Sequence, residues 1–382
     1  MPVINRIADF ADEMKTWRRH LHMHPELDLE CHETAAFVVE RLKEFGVDEI
    51  HEKIGVSGVV GLIKGKGDGP VIGLRADMDA LPMDEKTGLE HASTIPGRMH
   101  ACGHDGHTTM LMGAAKYLAE TRNFNGTVAL IFQPAEEGSG GARYMIEDGL
   151  MRDFGIKQAY ALHSLPGIPV GAFQTTTGPI MAAADDWEIQ IQGKGGHAAH
   201  PDLCVDPIVI ATGIAQAFQS IVSRNLDPIK TGVVSVTQLH AGSAHNVIPG
   251  TAMLGGTVRT FEPEVKAMIR ARMEAVIAHV SAAYGGTATL TYNDGYPPTY
   301  NHADETAFAG DVAGGISSIN REGQPSMGAE DFSYMLQEVP GSFLYVGNGD
   351  TPELHHPEYD FDDEAAPFGA SYFVKVVETA LA

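Results

Sequence analysis

Several short apolar runs in this chain lead into residues that carry chemistry, and this pattern limits the fold more than any other. Val71-Ile72-Gly73-Leu74 precedes Asp77 and Asp79. Val128-Ala129-Leu130-Ile131-Phe132, after an Asn125-Gly126 turn, precedes Glu136 and Glu137. Ala159-Tyr160-Ala161-Leu162 runs into His163, and Phe343-Leu344-Tyr345-Val346 is followed by His355 and His356. Each run reads as a buried strand. Helical periodicity lies between them, as at Thr108 to Glu120 and Gly140 to Glu147. Strands alternating with helices imply an α/β unit with a mostly parallel mixed sheet flanked by helices. In such sheets ligands bind beyond the carboxyl ends of the strands, so these distant residues should converge on one rim.

The chain opens on an amphipathic helix marked by Ile4, Ile7, Ala11, Met14, Trp17 and Leu21, and a second helix ends near Gly46. From about Asp186 the order changes to strand, helix, two strands, long helix (Glu262 to Ala283) and strand. This order predicts an inserted α+β sandwich at 185–293, leaving 1–184 and 294–382 as one discontinuous domain. A length of 382 residues suits two domains.

A net charge of -24 repels phosphate backbones and anionic lipid, which excludes nucleic acid and membrane as natural partners. Any recognition of a carboxylate must then come from a local cation. The three cysteines, Cys31, Cys102 and Cys204, are odd in number and widely spaced, so they predict reduced thiols and a cytoplasmic location. The first fourteen residues carry Asp9, Asp12 and Glu13 and read as neither signal nor transit peptide.

Met99 to His107 holds one thiol and three imidazoles in nine residues. Cys102 and His104 sit among glycines and histidines rather than apolar neighbours, the setting of a metal ligand more than of a core thiol. His107 is expected to begin the following helix, capping it or facing solvent. In Pro134-Ala135-Glu136-Glu137-Gly138, one carboxylate can bind metal while its neighbour accepts a proton from water, the division of labour that metal-assisted hydrolysis needs. His163 and one of His355 and His356 are further ligand candidates. Asp79 suits a carboxylate that orients a ligating imidazole, and Asp77 suits a similar role or a turn cap. The three alternating histidines His20, His22 and His24 precede Pro25 at a helix end, where cationic groups offset the dipole. Gly193-Lys194-Gly195-Gly196-His197 is too short for a phosphate loop, and no Gly-x-Ser-x-Gly elbow exists. Mixed sulfur, nitrogen and oxygen ligands suit zinc first, with manganese, cobalt and nickel open.

On these residues the chain resembles the M20 metallopeptidase family, in its branch of hippurate hydrolases, aminoacylases and auxin-conjugate hydrolases. The matching segments include Arg75 to Pro82, Met99 to His107, Gln133 to Gly138, Leu162-His163, Gly193 to His197, His245 to Gly250, Gly328 to Phe332 and Leu354 to Pro357. The resemblance implies two divalent metal ions, with Cys102 as a bridging thiolate and His104, Glu137, His163 and His355 completing the set. His355 rather than His356 fits the family's Leu-His-x-Pro pattern. Glu136 would be general base and then acid, supported by Asp79. The inserted domain would be a lid that also forms a homodimer or dimer-based oligomer. In it, His197 would reach the scissile carbonyl oxygen, across the dimer in one version. Asn246 and Arg259 would bind substrate, with Arg259 on the amino-acid carboxylate. Asp77 departs from the wider family, where many members have a metal-binding histidine. The implied reaction is hydrolysis of an N-acyl amino acid to a carboxylic acid and a free amino acid. A dipeptidase, a biosynthetic N-acetyl-amino-acid deacetylase and, in another class, a non-catalytic metal-binding protein are the alternatives.

Overall fold

A computed structural model describes residues 3–382. The chain divides into two compact units, one made of the chain up to Ile180 with Thr299–Gln324 and Asp331–Ala382, the other of Met181–Pro298 with Pro325–Glu330.

The first unit is built on an eight-stranded sheet. Its centre is four mutually parallel strands, in the order Thr127–Gln133, Val71–Asp77, Ile156–Leu165 and Gly341–Gly347. Their side chains are buried almost throughout, as expected of strands covered on both faces. Register sets Asp77 opposite Gln133 and His163 opposite Tyr345, so the carboxyl ends reach the same rim. The margins are antiparallel in part. A hairpin of Glu49–Ile54 and Gly58–Lys64 adds antiparallel to Thr127–Gln133, and the short strand Phe173–Gln174 lies antiparallel to Gly341–Gly347 on the other side.

Helix His104–Thr121 packs on Val71–Asp77 and Ile156–Leu165 and is itself covered by Ala11–Met23, His32–Phe45 and Ala366–Ala380. Its Met110, Leu111, Met112, Ala114, Ala115 and Leu118 are fully buried. Helix His32–Phe45 stops at Gly46, whose φ of 77° lets its own N–H reach Lys43 and that of Val47 reach the Leu42 carbonyl. The opening periodicity does not give one continuous helix: Asn5–Asp9 and Ala11–Met23 are separated by a break at Phe10.

The second unit is a four-stranded antiparallel sheet in the order Gly232–Ala241, Thr251–Thr260, Ala183–Gln192, Thr287–Tyr296. Ala183–Gln192 alternates in burial: Trp187, Ile189 and Ile191 turn to the core, while Asp186, Glu188 and Gln190 are exposed. Helices Pro207–Asn225 and Pro263–Ala283 pack on the apolar face through Ile210, Ile214, Phe218, Ile269 and Met273. Pro207 opens its helix at N1, and the Asp206 carboxylate accepts the Ile208 N–H at 2.9 Å. Among the described residues no helix is long and apolar enough to cross a membrane.

Candidate metal centre

The rim of the parallel sheet is shaped by two tight backbone features. Ala135, buried directly after Thr127–Gln133, has a φ of 58°, a left-handed conformation that costs an L side chain roughly 1–2 kcal/mol. The surrounding bonds compensate: its carbonyl accepts the Gly140 and Gly141 N–H groups at 3.0 and 2.9 Å. The next two amides donate to one buried carboxylate, Glu136 N–H to Asp79 Oδ1 and Glu137 N–H to Asp79 Oδ2, both at 3.0 Å. Asp79 therefore holds the turn that presents the paired glutamates. Asp79 also holds an imidazole: His104 Nδ1 donates to its backbone carbonyl at 2.8 Å and lies 3.4 Å from its Oδ1.

Gly103 is the second feature. It precedes helix His104–Thr121 with φ 85°, and a Cβ there would lie 2.3 Å from Ser164 Oγ and 2.6 Å from Tyr359 Oη. Only glycine lets Cys102 and His104 approach the end of Ile156–Leu165 this closely.

These turns bring together five of the predicted ligands. Cys102 Sγ lies 3.4 Å from His163 Nε2. The ligand atoms of Cys102, His104 and His163 fall within 4.8 Å of one another, and so do those of Cys102, Glu137 and His355. The two groups share the thiol. Glu136, buried, groups likewise with His104 and Glu137. His355 is exposed, has a φ of 63°, and is fixed by its N–H on the Ala101 carbonyl at 2.8 Å; its Nε2 is 3.2 Å from Glu137 Oε1. His356 Nδ1 instead accepts the Glu358 N–H at 3.2 Å, and His356 belongs to no such group among the described residues.

Hydrogen bonds fix which nitrogens face the centre. His163 Nδ1 donates to the Ser164 carbonyl at 2.7 Å, and His104 Nδ1 is taken by Asp79, so Nε2 is the nitrogen each ring turns to the centre. Burial, with His107 adding to it, pushes His163 well below the usual histidine range and keeps it neutral. Burial would lower His104 as well, but Asp77, Asp79 and Glu137 outweigh it and raise the group to about 10. Burial and then Glu137, Glu136 and Asp77 push the Cys102 thiol well above its normal value. This concentration of negative charge opposes a thiolate unless cations are present. Buried His104 Nε2 has no hydrogen-bond partner, and Glu137 Oε1 faces the exposed His355 Nε2 at 3.2 Å. A thiol, three imidazoles and a carboxylate, with a buried imidazole nitrogen left unpaired, fit two divalent cations.

The remaining predicted residues lie in the second unit. His197 is exposed in the short strand Gly196–His197, paired with Val247–Ile248, and the Ala198 N–H donates to the Asn246 carbonyl at 3.0 Å; His197 and Asn246 are thus neighbours. Arg259 stands apart. It pairs with Ala184 at one end of the sheet, whereas Gly196–His197 follows Gln192 at the other, and eight residues of strand, roughly 26 Å at the usual rise, separate Ala184 from Gln192.

Some participants carry no clear sequence signal. His107 is not at a solvent-facing helix start. It is buried, with Nδ1 2.6 Å from Asp77 Oδ1. Asp331 accepts from Arg75 Nη2 at 2.9 Å, Gln133 Nε2 at 2.8 Å and the Ala142 N–H at 2.9 Å, tying the strand ends to helix Gly141–Glu147. Asp331 lies in the Gly328–Phe332 segment that carries the family resemblance, and Arg75, a charge inside an apolar strand, points to the need for such a partner when buried.

Residues 73–379 match the family model described as Peptidase family M20/M25/M40. The chain is 44% identical over 358 residues to N-acetyl-L-cysteine deacetylase of Bacillus subtilis, covering 94% of this chain and 85% of the relative. It is 39% identical over 379 residues to hippurate hydrolase of Campylobacter jejuni, covering 98% of each. Among solved structures it resembles a Bacillus subtilis protein described as a dinuclear metal binding peptidase from the M20 family, with a TM-score of 0.87 and 36% identity over 98% of this chain and 99% of that one. The chain belongs to peptidase family M20/M25/M40.

Proposed function

We propose that this protein is a metal-dependent amidohydrolase that splits the amide bond of N-acyl amino acids into a carboxylic acid and a free amino acid. The observation that carries the reading is the pair of ligand groups sharing Cys102, with the buried Glu136 beside them. The named activities of the relatives, N-acetyl-L-cysteine deacetylase and hippurate hydrolase, support the substrate class: both names describe an acyl group on an amino-acid nitrogen.

Cys102, His104 and His163 would hold one cation, and Cys102, Glu137 and His355 the other, with zinc as the expected metal and manganese, cobalt or nickel as substitutes. When bound, the cations lower the pKa of water and polarise the amide carbonyl. Glu136 accepts the proton of the attacking water and returns it to the departing amine. Asp79 keeps Glu136 and Glu137 in register through their two amides. Arg259 takes the substrate carboxylate through its forked donors, which supplies the local cation that an acidic protein needs. His197, next to Asn246, donates to the carbonyl oxygen as charge develops on it.

Residues 185–293, which lie within the second unit, act as lid and dimerisation domain, and residues 1–184 and 294–382 as the catalytic domain. The edge strand Gly232–Ala241 supports a homodimer: it is ten residues long, contains Val233, Val234, Val236 and Leu239, and carries no Lys, Arg, Asp or Glu to discourage pairing. The substrate is a small molecule, and reduced thiols suit a cytoplasmic setting.

The test is a screen of N-acetyl and N-benzoyl amino acids after chelation and readdition of single metals. Hydrolysis should vanish on chelation and return with metal. Glu136→Gln should keep both metals and lose roughly 10²–10⁴-fold in kcat. Turnover that survives complete metal removal would overturn the reading.

A further inference from the structure

We propose that Asp77 and His107 form a positioning pair that grips the Ser164 peptide and thereby aims the His163 imidazole at Cys102. The direction of each bond in the chain can be deduced. The Ser164 backbone N–H can only donate, and it lies 2.8 Å from His107 Nε2, so Nε2 carries no proton. The His107 proton is therefore on Nδ1 and is donated to Asp77 Oδ1 at 2.6 Å. The carbonyl of the same residue, in the next peptide unit, accepts His163 Nδ1–H at 2.7 Å, which leaves His163 Nε2 facing Cys102 Sγ. Asp77 is anchored in turn: Arg75 Nη1 donates to its Oδ2 at 2.7 Å, and Thr108 Oγ1 donates to its carbonyl at 2.8 Å.

The competing reading is that His107 is itself a ligand, because its ring, His104 and Asp77 place ligand atoms within 4.8 Å. The hydrogen bonds argue against it. One ring nitrogen is occupied by a proton given to Asp77 and the other by the Ser164 N–H, so no lone pair remains for a metal. Outer partners of this kind set the orientation and basicity of a metal-binding imidazole, and their loss weakens metal binding about 10–100-fold.

The inference rests on His163 and Cys102 being ligands, and the experiment separates the two ideas. The full-length metal-free protein is titrated with cobalt(II) alone, read by the thiolate–cobalt and ligand-field absorption bands and by competition with a chromophoric chelator. Wild type should bind two equivalents; failure to do so overturns the ligand reading and this inference with it. With two bound, His107→Phe should weaken one of the two about 10–100-fold and shift its bands while sparing the other. His107→Gln, whose amide spaces a donor and an acceptor like the imidazole nitrogens, should recover part of the loss. Asp77→Asn is nearly isosteric, carries the test if His107→Phe does not fold, and should weaken the same equivalent. Unchanged affinity and spectrum in the folded variants, or a third wild-type equivalent lost in His107→Phe, would overturn the positioning role.

Discussion

Single residues at this centre work through backbone conformations that most side chains resist. Gly103, Ala135 and His355 all have positive φ, and each stands at or beside a residue that faces the cluster. Gly103 combines that conformation with contact. Gly103→Ala should cost roughly 2–4 kcal/mol, from the left-handed backbone plus overpacking against Ser164 and Tyr359. Gly46→Ala provides the control, because its φ is also positive but nothing lies within 4 Å of the added Cβ; about 1 kcal/mol is expected there. Urea unfolding of both variants measures the difference, and equal losses would mean that the tight approach at Gly103 contributes nothing. Cys102 and His104 are legible in the sequence because their residue types are rare among glycines. His107 is not: nothing in its neighbours reveals that helix packing will bury it against Asp77.

At the scale of elements, a buried ionic network joins helix Ala11–Met23 to helix His104–Thr121 and to the loop that carries His355. Arg18, buried, donates to Asp360 at 2.8 Å and Asp363 at 2.6 Å. His22, read from sequence as a helix-end group, is buried with Nδ1 2.7 Å from Asp105 and Nε2 3.3 Å from Glu85. Burial would lower His22, but Asp105 and Glu85 overcome it and raise the group to about 9. A raised folded-state value stabilises most below the unfolded value near 6.5, and the benefit is lost as pH climbs from there through 9. The loss should be on the order of 3 kcal/mol. Unfolding free energies at pH 6 and pH 9.5 test it: wild type should fall over this window more steeply than His22→Gln, and parallel slopes would refute it. The parallel core is readable because four strands buried along most of their length write continuous apolar runs. The outer strand of the hairpin is not, since Glu49–Ile54 is polar, half exposed and paired on one side only.

For the whole molecule, the distance within the second unit becomes a statement about assembly. Arg259 lies at one end of the four-stranded sheet and the His197–Asn246 pair in a two-stranded ladder past its other end, farther apart than one N-acyl amino acid spans by the usual strand rise. The motif residues were legible one at a time, but their separation depends on strand register, which single-sequence patterning does not carry. If Arg259 and His197 both act on substrate, they come from different subunits, and a two-fold dimer supplies this through its self-complementary interface. The consequence is complementation. His197→Ala and Arg259→Ala homodimers should each be nearly inactive. In a mixed dimer, the subunit carrying His197→Ala keeps its own Arg259 and receives an intact His197 from its partner, so one of two sites is whole. Random exchange makes half the dimers mixed, and about a quarter of wild-type activity should return. Placing lysines at Thr237 and Leu239 on the uncharged edge should abolish both the dimer, read by sedimentation, and the recovery. Mixed preparations that exchange subunits yet stay inactive would show that His197 and Arg259 do not complete one site across the dimer.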